Sequence, residues 1–126
     1  MKQKFYRCEI CGNIIAIVEE SGIPIVCCGQ DMTEIDPNIV EASAEHHIPV
    51  CKVEGNIVTV SVGETPHPMT ASHHISWISI ETKQGNQRKC LRYDDEPKAC
   101  FALCDDDELL CAYAYCNLHG FWKSAK

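Results

Sequence analysis

Ile57-Val58-Thr59-Val60-Ser61-Val62 sets Val58, Val60 and Val62 two residues apart, and this period decides the fold. In an extended strand successive side chains point to opposite faces, so the three valines form one apolar face. His74-Ile75-Ser76-Trp77-Ile78-Ser79-Ile80 and Leu109-Leu110-Cys111-Ala112-Tyr113-Ala114-Tyr115 follow the same pattern. Gln87 to Tyr93 and Ala99 to Cys104 read as further short strands between turns rich in Asp, Glu, Pro and Gly. No window carries a helical period. Strands at this spacing predict an antiparallel β-sandwich.

Upstream the pattern changes. Cys8-Glu9-Ile10-Cys11-Gly12 and Cys27-Cys28-Gly29 supply two cysteine pairs. A C-x2-C knuckle lets both sulfurs reach one ion, and a second pair completes a tetrahedral four-sulfur set. The second pair is adjacent in sequence, and side chains of adjacent extended residues diverge. Both sulfurs meet one metal only if the backbone turns sharply there, for which Gly29 offers the freedom. Zn(II) and iron both fit such a site, and a structural zinc knuckle is one reading of it. Asn13 to Val18 and Ile23 to Val26 read as two strands joined by Glu19-Glu20-Ser21-Gly22. Asp36-Pro37-Asn38 reads as a linker, dividing the chain into a metal domain at 1–36 and a sandwich at 37–126.

Three fragments in the second domain carry a second candidate donor set. In Thr65-Pro66-His67-Pro68-Met69-Thr70-Ala71-Ser72-His73-His74 the first histidine is locked between prolines, which stiffens a non-helical loop. Glu45-His46-His47-Ile48-Pro49 lies before it and Cys116-Asn117-Leu118-His119-Gly120 after it. Together they offer His47, His67, His73, His119 and Cys116, with Glu45 beside them. Neutral imidazoles suit iron, zinc, copper and nickel, and one thiolate adds charge and softness. His74 follows His73 and is expected to point away; Trp77, Phe121 and Trp122 are expected to be core or pocket wall.

Bulk properties exclude several classes. The 126 residues carry a net charge of −7, against the clustered Lys and Arg that nucleic acid requires. No run approaches the roughly 20 apolar residues of a membrane span, and no signal peptide is recognisable at the start. A cytoplasmic protein is expected, so ten cysteines point to metal thiolates and free thiols. Cys51, Cys90, Cys100, Cys104 and Cys111 lie outside the motifs and are expected to be small buried hydrophobes. The acidic runs 94–96 and 105–108 are expected to be solvated turns.

The two cysteine pairs, His-Pro-Met with the histidine that follows, and Cys-Asn-Leu-His-Gly-Phe-Trp together resemble the desulfoferrodoxins, the two-iron class of superoxide reductases. The resemblance covers essentially the whole chain. It implies a desulforedoxin-like iron domain, an immunoglobulin-like sandwich and a homodimer. It further implies ferrous iron with His47, His67, His73 and His119 in a plane and Cys116 axial, leaving one position open. Glu45 would fill that position in the oxidised state. Superoxide would take one electron there and leave as hydrogen peroxide, with rubredoxin or a similar carrier restoring the iron.

One departure concerns the positive charge that attracts the anion. The family usually has Glu-Lys-His-x-Pro at the first ligand, with lysine where this chain has His46. Either His46 takes over the lysine's role in part, or the chain is an iron electron-transfer protein with little superoxide chemistry; a zinc-filled module is a third reading. A register in which His46 is the ligand is conceivable, and the spacing to Ile48-Pro49 favours His47.

Overall fold

The structure is a computed structural model that describes residues 2–39, 47–63 and 66–124. Glu45 and His46 lie outside the described residues. The chain divides into two compact units, Met1–Asp36 and Pro37–Lys126. Among the described residues there is no helix.

In the first unit β1 (Lys4–Arg7) pairs antiparallel with β2 (Ile14–Ile17). The short β3 (Val26–Cys27) and β4 (Gln30–Asp31) form a separate hairpin, and β5 (Thr33–Glu34) completes the first sheet in the order β2-β1-β5. The expected strand at 23–26 shrinks to Val26–Cys27, since Pro24 has no N–H to give a ladder and Ile23 is exposed. β2 takes β1, at the basic N-terminal stretch, as its partner. The core is small, with Phe5, Cys8 and Met32 buried.

The turn between β3 and β4 consists of Cys28 and Gly29, at φ 54° and 75°. Positive φ at both central residues is the hairpin turn whose twist matches its strands. The sharp bend expected at the adjacent cysteines is therefore present, and Cys28 itself shares in it with Gly29. A non-glycine residue there costs about 1 kcal/mol or more, which suggests a function for the bend.

The second unit is a sandwich of seven strands: β6 (Pro49–Glu54), β7 (Ile57–Val62), β8 (Ile75–Thr82), β9 (Gly85–Cys90), β10 (Lys98–Ala102), β11 (Leu109–Cys116) and β12 (Gly120–Lys123). They form antiparallel sheets in the orders β10-β7-β6 and β12-β11-β8-β9. Three strands facing four is the count of an immunoglobulin-like sandwich. Val58, Val60 and Val62 are buried and pack with Phe101 and Leu103 against Ile75, Ile78, Ile80, Ala112 and Ala114. Each fully buried Val or Ile contributes roughly 1.5–3 kcal/mol. Cys116 belongs to this core, so one wall of the candidate site is continuous with it.

Asn38, expected in a linker, makes a parallel bridge to Trp122 and so belongs to the sandwich. The cysteines outside the motifs divide. Cys111 is buried and Cys51 half-buried, but Cys90, Cys100 and Cys104 are exposed. Cys90 ends edge strand β9, Cys100 sits at an outward position of β10, and Cys104 follows that strand, so none of the three reaches the core. The acidic runs lie in exposed turns, where Asp94 pairs with Arg92 and Glu96 with Lys98.

Candidate metal centres

In the first unit the Sγ atoms of Cys8, Cys11, Cys27 and Cys28 all lie within 4.8 Å of one another. Cys11 and Cys27 are 3.7 Å apart, and the Asn13 amide donates to the Cys27 sulfur at 3.6 Å. The Cys11 backbone N–H donates to the Cys8 sulfur at 3.5 Å. That N–H, with the one of Ile10, pulls the Cys8 thiol down to about 6. The neighbouring sulfurs have the opposite effect on the other pair: Cys11 and Cys8 push Cys28 up to about 12, and Cys8 and Cys11 raise Cys27. Thiolates this close repel one another, so the metal-free cluster ionises at Cys8 first. A bound cation beside them favours ionisation of Cys27 and Cys28.

The second set is assembled from loops at strand ends. His47 precedes β6, His67 and His73 lie between β7 and β8, and Cys116 closes β11. His119 sits on the three-residue turn to β12, which Gly120 completes at φ 85°. Cys116 and Gly120 are cross-strand partners, so a C-x2-H spacing brings sulfur and imidazole to one point. The donor atoms of all five residues lie within 4.8 Å of one another.

The four imidazoles form a closed ring. Neighbouring centroids are 4.8 Å apart for His47–His67, 4.7 Å for His67–His73, 5.0 Å for His73–His119 and 4.8 Å for His119–His47. Each pair meets edge-on, at interplanar angles of 61–81°. His47 Nε2 faces His119 Nδ1 at 3.0 Å, and Cys116 Sγ is 3.8 Å from the same Nδ1. Cys116 is fully buried, whereas His119 is exposed and His73 partly so, which leaves solvent access on the imidazole side.

Hydrogen bonds fix the rings. His67 Nδ1 lies 2.8 Å from the Pro68 carbonyl, which can only accept, so Nδ1 carries the proton and Nε2 keeps its lone pair. His73 Nε2 is buried with no hydrogen-bond partner, as a metal ligand would be. Trp122 stacks on His47 at 4.7 Å and donates Nε1–H to the His119 carbonyl at 3.1 Å. The sequence predicts Trp122 only as core or wall; its stack on His47 depends on pairing between distant segments, while its bond to His119 is made within the β11–β12 turn. His74 turns away as expected and donates from Nδ1 to the Thr70 carbonyl at 2.9 Å.

Five donors of this kind fit iron. Structural zinc prefers four ligands in a tetrahedron, while imidazole with thiolate suits a redox metal of higher coordination number. A thiolate buried as deeply as Cys116 requires a cation beside it.

Fold and donor sets define a class: an all-β protein with a four-thiol cluster in a small first unit and four imidazoles with one thiol in a sandwich. The family model for desulfoferrodoxin matches residues 39–125, and that for the desulfoferrodoxin N-terminal domain matches residues 1–35. A desulfoferrodoxin homolog of Archaeoglobus fulgidus is 42% identical over 94% of each chain. The crystal structure of the superoxide reductase from Treponema pallidum is 34% identical, covers 98% of both chains and superposes with a TM-score of 0.84. A one-iron superoxide reductase from Giardia intestinalis, 36% identical, covers 64% of this chain and 95% of its own, with a TM-score of 0.54. This chain belongs to the desulfoferrodoxin family.

Proposed function

We propose that this protein is a superoxide reductase, converting superoxide, one electron and two protons into hydrogen peroxide. The observation that carries the reading is the closed ring of four imidazoles with the Cys116 thiol against it. His47, His67, His73, His119 and Cys116 would hold iron, and bound iron would supply the electron. The relatives named superoxide reductase support this activity over an electron carrier without superoxide chemistry.

The residues divide the remaining work. The buried Cys116 thiolate adds negative charge to the metal's surroundings, and this lowers its potential. The Pro68 carbonyl and Trp122 hold their rings in place, so no reorganisation is needed when the charge changes. Exposed His119 leaves room for a small anion to arrive and for solvent protons to follow. With a net charge of −7, steering depends on local positive charge, and His46 is assigned that part in place of the family's lysine. Glu45 is assigned the open position after turnover.

The same reading extends to one iron in each donor set, with Cys8, Cys11, Cys27 and Cys28 holding the first, where zinc is also compatible. It also includes a cytoplasmic homodimer and a rubredoxin-like electron donor. No helix among the described residues is long and apolar enough to cross a membrane.

Product stoichiometry tests the activity. Reduced protein is given measured pulses of superoxide with a chemical reductant present. A reductase yields one hydrogen peroxide per superoxide and no oxygen. Half that yield, with oxygen evolved, would mean dismutation and would overturn the proposal.

A further inference from the structure

Asn117 follows Cys116 and precedes His119 by two residues, and its hydrogen bonds all reach the loop that carries His73. Its Oδ1 accepts from the His74 backbone N–H at 2.8 Å. Its Nδ2 donates to the Ser72 carbonyl at 3.0 Å. Its own backbone N–H donates to the His74 carbonyl at 3.1 Å. Ser72 and His74 are the two chain neighbours of His73, so the turn bearing Cys116 and His119 grips His73 from both sides.

The carboxamide is suited to this grip because it accepts with one atom and donates with the other in a single plane. Asp would keep only the acceptor, and Ala neither. Other bonds around His73 are local. Thr70 and His73 exchange backbone and hydroxyl hydrogen bonds, including His73 N–H to Thr70 Oγ1 at 3.1 Å. Those bonds set the shape of the 70–74 turn. They do not set where the turn lies relative to the Cys116 sulfur; pairing of Cys116 with Ile75 places the start of β8 there, and the Asn117 bonds carry that placement on to His73. Asn117 is exposed, so burial gives no reason for an amide at this point.

We infer that Asn117 is a positioning residue that fixes His73 relative to Cys116, and thereby sets the ligand field and affinity of the metal those residues hold. This rests on reading the five residues as one metal site. Outer partners that orient ligands typically contribute 10–100-fold in metal affinity.

The test uses the full chain with N117A and N117D, each loaded with iron or, as a probe, Co(II). Three quantities are read at the histidine–cysteine site: the energy of the thiolate-to-metal band, the midpoint potential, and the affinity by chelator competition. N117A is expected to weaken the metal about 10–100-fold and to displace band and potential, with the four-cysteine bands unchanged. N117D, which keeps the bond from His74 and loses the one to Ser72, is expected to fall between N117A and wild type. Wild-type band, potential and affinity in both variants would overturn the inference, even with a lowered melting temperature. Absence of any thiolate band from this site in wild-type protein would instead overturn the metal reading beneath it.

Discussion

The Trp122 indole lies nearly parallel to the His47 imidazole, with centroids 4.7 Å apart and 13° between planes, and hydrogen-bonds the His119 carbonyl at 3.1 Å. One side chain on β12 therefore braces two rings that arrive from chain segments 72 residues apart. Trp122 is also nine-tenths buried, so its packing contributes to the sandwich itself.

Replacing it separates the two contributions. W122A is expected to cost about 3–5 kcal/mol in urea unfolding of the metal-free protein, a large part of a typical domain's stability. W122F should keep the stack on His47 while losing the hydrogen bond, worth about 1 kcal/mol. A loss below about 1 kcal/mol for W122A would show that the indole is not packed into the sandwich.

The four-cysteine unit is expected to release protons when it takes up metal. Cys8, at about 6, is largely ionised at pH 7, while Cys27 is raised and Cys28 stands near 12, so both carry protons there. A metal that binds all four sulfurs displaces at least these two. Affinity should therefore rise at least about 100-fold per pH unit between pH 7 and 8. Co(II) competition against a chelator, read on the cobalt–thiolate bands, measures this. An affinity independent of pH would contradict this distribution of charge among the four thiols.

Asp107 makes an acid-sensitive contribution to stability. Partial burial opposes its ionisation, but the Thr82 hydroxyl and the backbone N–H groups of Glu108 and Gln84 outweigh this and hold the carboxyl below its ordinary value. The two amides approach at 2.8 and 3.1 Å, and the second, from Gln84, ties the 105–108 turn to the β8–β9 hairpin. A depressed carboxyl stabilises the fold above the unfolded value near 3.9, and that contribution is lost as pH falls through the lower folded value. D107N is expected to melt a few degrees below wild type at pH 7, with the gap closing below about pH 4. A gap of constant size down to pH 2 would assign the effect to shape, not charge.

Much of this is legible in the sequence where a single residue pattern carries the information. The valines of β7 have one environment and one period, and the cysteine and histidine spacings sit in turns that chain geometry nearly dictates. β6 escapes a reading by pattern because Val50 and Val53 are both exposed on this edge strand, which removes the alternation that marks a strand. β12 escapes it because Gly-Phe-Trp-Lys is short and its aromatic residues read equally well as site wall. The exposure of Cys100 depends on which face of β10 meets the core, and a single cysteine does not encode that. The stack of Trp122 on His47 and the contacts of Asn117 arise from pairing between distant segments, for which local pattern holds no signal.

Iron held by four histidines and Cys116 is expected to react with superoxide. The most direct test follows the visible spectrum of anaerobically purified ferrous protein after a superoxide pulse, in wild type and in C116S. In wild type a thiolate-to-Fe(III) band should grow as fast as superoxide disappears; in C116S that band should be missing while the four-cysteine bands remain. Superoxide decay with no such band in wild type, or the same band surviving in C116S, would contradict the claim.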